Sequence, residues 1–395
     1  METMNVWWTA FIWMALALAA SLVSVRLALS VALAEILFGV LGGNILHIQP
    51  NEWINFLAGL GGILLTFLAG AETDWYALCS EWKGALTLGL LSFLTALVAE
   101  LLLVRLMMEW TWQASLITGI ALAPTSIAIV YTVLMDTGMN RAPLGRRILV
   151  ACFMSNLAAM LLLGLAFTKP GIWLAVYLAA TAVAVCTAPL MSSSFFRRVS
   201  AHISQPRTKY LLLLLLFFSS LSDLADTQAL LAAYLLGLSL SAVFSVHRES
   251  LHQLRALAFA VFTPFYFLRA GAYVQASIFR NSLMVILLLL GIRILSKTAI
   301  SYLVCRQLKM SHTEATYTSL VMSTGLTFDI IAAVFGLSHG YLSSSQYTLL
   351  VAVTIGSALV PTLIAQSFFK PLVKEETLSH SEVQKQVSLA HTEEG

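Results

Sequence analysis

The chain has 395 residues, of which 10% are charged and 59% hydrophobic; the formal net charge is +3 and the mean hydropathy +0.87. Soluble domains carry about a quarter charged residues, so this composition excludes a soluble enzyme or nucleic-acid-binding protein and implies a polytopic membrane protein with little mass outside the bilayer. The small basic excess lies between apolar runs, where it orients the chain in a membrane and does not mark a nucleic-acid partner.

A membrane-crossing helix needs about 20 residues. Thirteen apolar segments can be counted, at approximately 7–27, 30–46, 53–71, 84–106, 113–134, 144–167, 171–191, 208–223, 227–245, 254–275, 281–304, 313–337 and 346–368. The opening METMNVWW has no basic n-region, and no small-residue cleavage site follows the first apolar run, so the first helix is expected to stay in the mature chain. The narrowest division is at Asp223 to Asp226; merging there would give twelve spans. Loops after odd-numbered segments, with the C-terminal flank, hold most of the Lys and Arg, whereas loops after even-numbered segments hold Arg105, Lys169 and Arg280. The positive-inside rule then favours thirteen spans, with the N-terminus outside and the C-terminus inside.

Polar groups within the apolar segments are the candidate functional residues, because a charge in hydrocarbon must be paired, hydrated or neutralised. Glu35, in AEILFGVLGG, faces the bundle interior or sits capped at a helix end. Glu72 and Asp74 close the third segment, where wetting is easy and a structural or gating role is expected. Glu100 lies five residues before Arg105, within reach of an ion pair on the same helix.

The fifth segment is broken by Pro124, Thr125 and Ser126, and the sixth contains Ser155 and Asn156. A proline followed by two hydroxyls leaves backbone groups that need protein or water beside them, and the Asn156 amide needs a partner as well. Either this is a kink packed against a neighbour, or it is one half of an ion site. The basic stretch Ser192 to Lys209, with Pro206, is expected to link two halves of the bundle. Asp223 and Asp226 share a face if the helix continues there; an outward loop would solvate them equally well. Pro264 and Arg269 mark a further bent helix, structural or lining. Lys297 lies four residues after Arg293 inside an apolar segment, so it is expected to reach a polar cavity, where an ammonium could exchange a proton. Arg293 is expected to snorkel or to pair separately.

A second break, around Gly325 with Ser323, Thr324 and Thr327, is followed by Asp329. Paired interruptions in corresponding positions of two halves are the sequence mark of a midplane ion site. Hydroxyls, freed carbonyls and a carboxylate would suit Na⁺ or K⁺, with Thr125, Asn156 and Asp329 as the ligand set for that cation. Cys79, Cys152, Cys186 and Cys305 have no C-x-x-C spacing and read as small core residues. No histidine spacing suggests a resident metal, no nucleotide-binding motif occurs, and no cofactor is expected beyond the transported cation and proton. The last residues, 375–395, are polar and form a tail after a single transmembrane domain over 1–374.

The segments AEILFGVLGG, LLTFLAGAETD, APTSIAIVYTVLMDTGMNRAPLGRRILVACFMSN, LRALAFAVFTPFYFLRAG, the lysine of ILSKT, and STGLTFDIIAAVFGL together resemble the sodium/hydrogen exchanger superfamily. Within it they are similar to the monovalent cation:proton antiporters that include Kef-like proteins, over about residues 10–370. The resemblance implies an all-α fold of about thirteen helices with inverted repeats and two crossing broken helices. It also implies a homodimer in the inner membrane of a prokaryote, working by alternating access. The broken pair falls on Thr125-Ser126 and on the Gly325–Asp329 stretch, and the family lysine matches Lys297. One departure stands out. Where the family carries its essential carboxylate, this chain has Asn156, preceded by Ser155. An amide does not titrate near neutral pH and cannot exchange a proton for a cation.

Three readings follow. The first is a secondary antiporter exchanging a monovalent cation for protons, with Asp329 and Lys297 titrating and Thr125, Ser126, Ser155, Asn156 and Thr327 contributing neutral ligands. The second is a pH-independent cation pathway on the same scaffold. The third is a degenerate, non-transporting member with a structural or sensory role. None of the three is an enzyme.

Overall fold

The computed structural model describes residues 5–27, 29–48, 50–73, 75–136, 139, 142–168, 171–199, 206–225, 227–246 and 248–369. The described residues form an all-helical protein. Its helices are α1 (Val6–Leu27), α2 (Val31–Asn44), α3 (Glu52–Ala71), α4 (Trp75–Met107), α5 (Trp112–Leu122), α6 (Ile127–Asp136), α7 (Pro143–Phe167) and α8 (Ile172–Val199). They continue as α9 (Pro206–Leu224), α10 (Leu230–Val246), α11 (Arg248–Leu257), α12 (Thr263–Ala272), α13 (Ala276–Gln307), α14 (His312–Met322), α15 (Thr327–Ser338) and α16 (Ser344–Phe368). Among the described residues, nine helices or joined pairs are long and apolar enough to cross a membrane, with α2 and α10 as shorter apolar helices. The protein is a polytopic membrane protein with several bent or joined helices.

Helix starts follow capping chemistry. Asn51 and Thr111 accept from the backbone N–H three residues on, and Ser311 with Glu314 and Ser343 with Gln346 form complete capping boxes. Some boundaries differ from the sequence reading. The division at 223–226 holds, since α9 ends at Leu224 and α10 starts at Leu230. The stretch expected to be a long basic linker is shorter, because α8 runs on to Val199 and α9 begins at Pro206. The tenth segment starts earlier, as α11, and passes through a π-helical turn at Ala258–Phe262 before Pro264 opens α12. A proline lacks the N–H that an uninterrupted α-helix requires, and the wider turn absorbs the mismatch.

Two groups of helices make up the core. Helices α4, α5, α7, α13, α14, α15 and α16 enclose the largest buried cluster. Around it, α3 packs on α10, α2 on α12, and α8 on α9 and α10. The α3–α10 contact is backbone to backbone: a Cβ at Gly70 would strike the Tyr234 carbonyl, and one at Gly237 would strike that of Phe67. The α2–α12 pair repeats this arrangement at Gly39 and Gly271. Small residues allow helices to approach closely in a setting where lipid removes the hydrophobic drive for association. Cys152 and Cys305 are buried as expected; Cys186 is exposed, which corrects its reading as a core residue, and Cys79 has no described side chain.

Candidate functional site

The two breaks meet inside the largest cluster. Helix α5 stops at Leu122; Ala123 keeps helical dihedrals as its C-cap, and Pro124, which has no N–H to donate, ends the hydrogen-bond ladder there. Residues 123–126 run without helix until α6 opens, where the Ile129 N–H donates to Ser126 Oγ at 3.5 Å. Opposite, α14 ends at Met322 and residues 323–326 cross to α15. Both interruptions are fully buried, so their backbone groups must find protein partners. They find them in each other. The Ser126 N–H donates to the Thr324 carbonyl at 3.1 Å, and Thr125 Oγ1 donates to the Met322 carbonyl at 2.6 Å.

Helix α13 lays two cations against this crossing. Lys297, with no exposure, donates to the carbonyls of Ala123 and Pro124 at 2.6 and 2.8 Å and to Thr125 Oγ1 at 2.9 Å. Those three bonds use all three ammonium protons. They also place positive charge at the C-terminal end of α5, where carbonyls are unpaired and the helix dipole is negative. Arg293 is equally buried. Its Nη1 donates to Asp329 Oδ2 at 2.5 Å and its Nη2 to the Pro124 carbonyl at 3.3 Å. Asp329 sits in the first turn of α15, where the dipole favours an anion, and accepts a further bond from Thr354 Oγ1 at 3.3 Å.

The partnership differs from the sequence reading. Asp329 is paired with Arg293, and Lys297 is committed to carbonyls; Arg293 does not snorkel. The i,i+4 spacing of the two cations had already placed them on one face of α13, so the signal was present. It gave no way to choose which cation would meet the carboxylate. Gly325 makes the arrangement possible, because a Cβ there would overlap both the Arg293 guanidinium and the Asp329 carboxylate.

Asn156, on α7, donates through Nδ2 to the Thr125 carbonyl at 2.8 Å and to the Cys152 carbonyl at 2.9 Å. It therefore satisfies a backbone group freed by the break, a task an ionised carboxylate cannot perform. Its neighbour Ser155 is fully buried, and its Oγ has no hydrogen-bond partner. Thr327 is half-buried at the start of α15. Thr125, Ser126, Asn156, Lys297 and Asp329 are joined at the crossing through these bonds and through Arg293, while Thr327 follows it in sequence and no hydrogen bond among the described residues ties Ser155 to it.

The possible lining residues do not join them by any hydrogen bond or ion pair among the described residues. Glu35 is buried on α2, Asp223 is exposed at the end of α9, and Arg269 lies over the Tyr273 ring at 5.5 Å. Asp226 lies outside the described residues, as does Asp74. Glu72 caps the end of α3 and pairs with Arg255 at 3.4 Å, as a surface structural group would. Burial pushes its carboxyl above the usual range, and Arg255 draws it back. Glu100 does not pair with Arg105, which instead donates to the Trp110 carbonyl at 2.7 Å. Sequence reading gave no role at the crossing to Thr354, on α16. Among the described residues no group of three or more His, Cys, Asp or Glu could hold a metal ion.

Such a crossing offers one carboxylate, several hydroxyls and backbone carbonyls in a buried interior, and two buried cations that set its charge. Comparison with known proteins adds a frame. A family model described as "Sodium/hydrogen exchanger, transmembrane" matches residues 13–374. The chain is 26% identical over 351 residues to a probable Na(+)/H(+) antiporter 3 of Methanocaldococcus jannaschii, covering 86% of this chain and 89% of that protein. It is 24% identical over 356 residues to the Na(+)/H(+)-K(+) antiporter GerN of Bacillus cereus, covering 87% and 92%. The structure of the sodium proton antiporter MjNhaP1 from Methanocaldococcus jannaschii at pH 8 superposes with a TM-score of 0.66 at 15% identity, covering 92% of this chain and 97% of that one, a likeness of fold.

Proposed function

The chain belongs to the sodium/hydrogen exchanger family, and from that premise we propose that it is a secondary transporter exchanging Na⁺ or K⁺ for protons at the crossing of its two broken helices. The observation that carries this reading is the buried Asp329 carboxylate, set in the first turn of α15 and held by Arg293. An incoming cation competes with Arg293 for Asp329, with Thr125, Ser126, Ser155, Asn156 and Thr327 close by as neutral oxygen ligands. Lys297 stays as a fixed charge that closes the carbonyl end of α5. No resident cofactor takes part in this scheme.

The packing pattern supports an inverted repeat. Counting each broken pair as one segment, and α11 with α12 as one, the break at 123–126 lies in the fifth segment and that at 323–326 in the twelfth. Shifted by the same seven segments, α4 corresponds to α13, α7 to α16, α3 to α12 and α2 to α10. The neighbours then correspond as well: α4 packs on α7 as α13 packs on α16, and the α2–α12 pair maps onto α10–α3. An odd shift inverts one repeat in the membrane, as two facing broken helices require. On this reading thirteen segments span, the N-terminus lies outside and the C-terminus inside a prokaryotic inner membrane. A single domain covers 1–374, the polar residues 375–395 lie outside the described residues, and the protein works as a homodimer.

The direct test is the purified protein in liposomes under an imposed Na⁺ or K⁺ gradient, with internal pH as the readout. Protons are expected to move against the cation. Folded protein that leaves internal pH unchanged under both gradients would favour the non-exchanging reading that Asn156 raises.

A further inference from the structure

Glu100 lies within α4, fully buried, and neither of its carboxylate oxygens has a hydrogen-bond partner. A charge left in that condition is expensive, so a carboxyl group there is held as the neutral acid unless a cation reaches it. Helix α4 packs against α5, α7, α10 and α13. Helix α5 brings no charged side chain. Helix α7 brings Arg146 and Arg147 at its start and Cys152; α10 brings Tyr234, whose hydroxyl donates to the Phe153 carbonyl. Helix α13 brings Arg293 and Lys297, and the Lys297 protons are all in use on residues 123–125. Of these groups, Arg293 is a wholly buried cation on the helix that packs against α4. Its guanidinium is held through Nη1 and Nη2, while Nε is buried without a partner. The arginine thus holds one carboxylate with its terminal nitrogens and keeps an unused donor, while the helix packed beside it carries a second carboxyl group with no partner.

We propose that Glu100 carries the exchanged proton, and that Arg293 passes between Asp329 and Glu100 as the cation binds and leaves. This rests on the exchange reading given above. With no cation bound, Arg293 neutralises Asp329, and Glu100 is the neutral acid. When a cation binds Asp329 it displaces the guanidinium, which pairs with Glu100 as the carboxyl O–H bond breaks and the proton leaves to water. When the cation departs, Arg293 returns to Asp329 and Glu100 takes up a proton. One positive charge enters for each that leaves, so the cluster keeps the same net charge in both states and the exchange is electroneutral. The carboxylate missing at Asn156 is replaced in this scheme by two carboxylates that share one arginine.

The test compares wild type with Glu100→Gln in liposomes in two modes: internal pH under a Na⁺ or K⁺ gradient, and labelled-cation self-exchange without a pH gradient. Wild type is expected to perform both, at rates that do not respond to an imposed membrane potential. Glu100→Gln is expected to lose proton movement to the level of protein-free liposomes and to retain self-exchange at a reduced rate, since the amide cannot receive the displaced guanidinium as an anion does. Proton movement at the wild-type rate in Glu100→Gln overturns the assignment while leaving the exchange reading intact. Loss of both modes in folded Glu100→Gln, or a potential-driven wild-type rate, also overturns it. Failure of wild type to move protons removes the exchange reading and this inference with it. If Glu100→Gln does not fold, Glu100→Asp decides: its pH profile of exchange must shift from wild type, and an unchanged profile counts against the role.

Discussion

At the scale of single residues, the position where the family resemblance implies a carboxylate is occupied here by a donor, and the structure supplies a reason for a donor there. Asn156 Nδ2 closes the Thr125 carbonyl, which the Pro124 break leaves without a helical partner. Asn156→Leu keeps the branched shape and heavy-atom count and removes the donor, so the carbonyl is left buried and unpaired at a cost of about 1–3 kcal/mol. Thermal unfolding in detergent is expected to occur at lower temperature in that variant; an unchanged midpoint would show that the bond contributes nothing. The sequence disclosed the residues but not their partners. Asp329, Lys297, Thr125 and Asn156 were all recognisable as polar groups in apolar segments. That Arg293, and not Lys297, meets Asp329 depends on the depth and rotation of α13 against the crossing, which periodicity does not encode. Glu100 shows the same limit: Arg105 was near enough in sequence to pair, yet its guanidinium turns to the helix end at Trp110.

At the scale of elements, the two broken helices were legible because proline and glycine leave a chemical mark. Pro124 cannot continue a helix, and Gly325 allows the close approach of Arg293 and Asp329 that any side chain would block. The apolar segments were legible from composition, although α8, α11 and α4 extend beyond them into polar stretches where hydropathy gives no boundary. What remained hidden was the pairing of helices. The contact of α3 with α10 depends on Gly70 and Gly237 facing one another, and nothing local distinguishes those glycines from others in apolar runs. Gly237→Val is expected to force α10 away from the Phe67 carbonyl and to destabilise the protein by about 1–3 kcal/mol. A wild-type unfolding midpoint for this variant would show that the helices can part without penalty.

At the scale of the whole molecule, two cations, Arg293 and Lys297, and two carboxyl groups, Asp329 and Glu100, are buried inside one helical bundle. On the proposed exchange, a net charge that stays the same whether or not the cation is bound avoids the cost of carrying an uncompensated charge through hydrocarbon. Sharing one arginine between Asp329 and Glu100 meets that condition. Fold, family and broken helices were accessible to sequence reasoning because they rest on composition and on residues with special backbone behaviour. The direction of each side chain rests on tertiary packing, and only the structure provides it.

The measurement that tests the central claim most directly is cation-driven proton movement by Asp329→Asn beside wild type in liposomes, with folding of both verified by size exclusion. An amide accepts a cation weakly and leaves Arg293 without its anion, so Na⁺ or K⁺ gradients are expected to move internal pH in wild type and not in the variant. Proton movement at the wild-type rate in folded Asp329→Asn would contradict the account and place the exchange site elsewhere in the bundle.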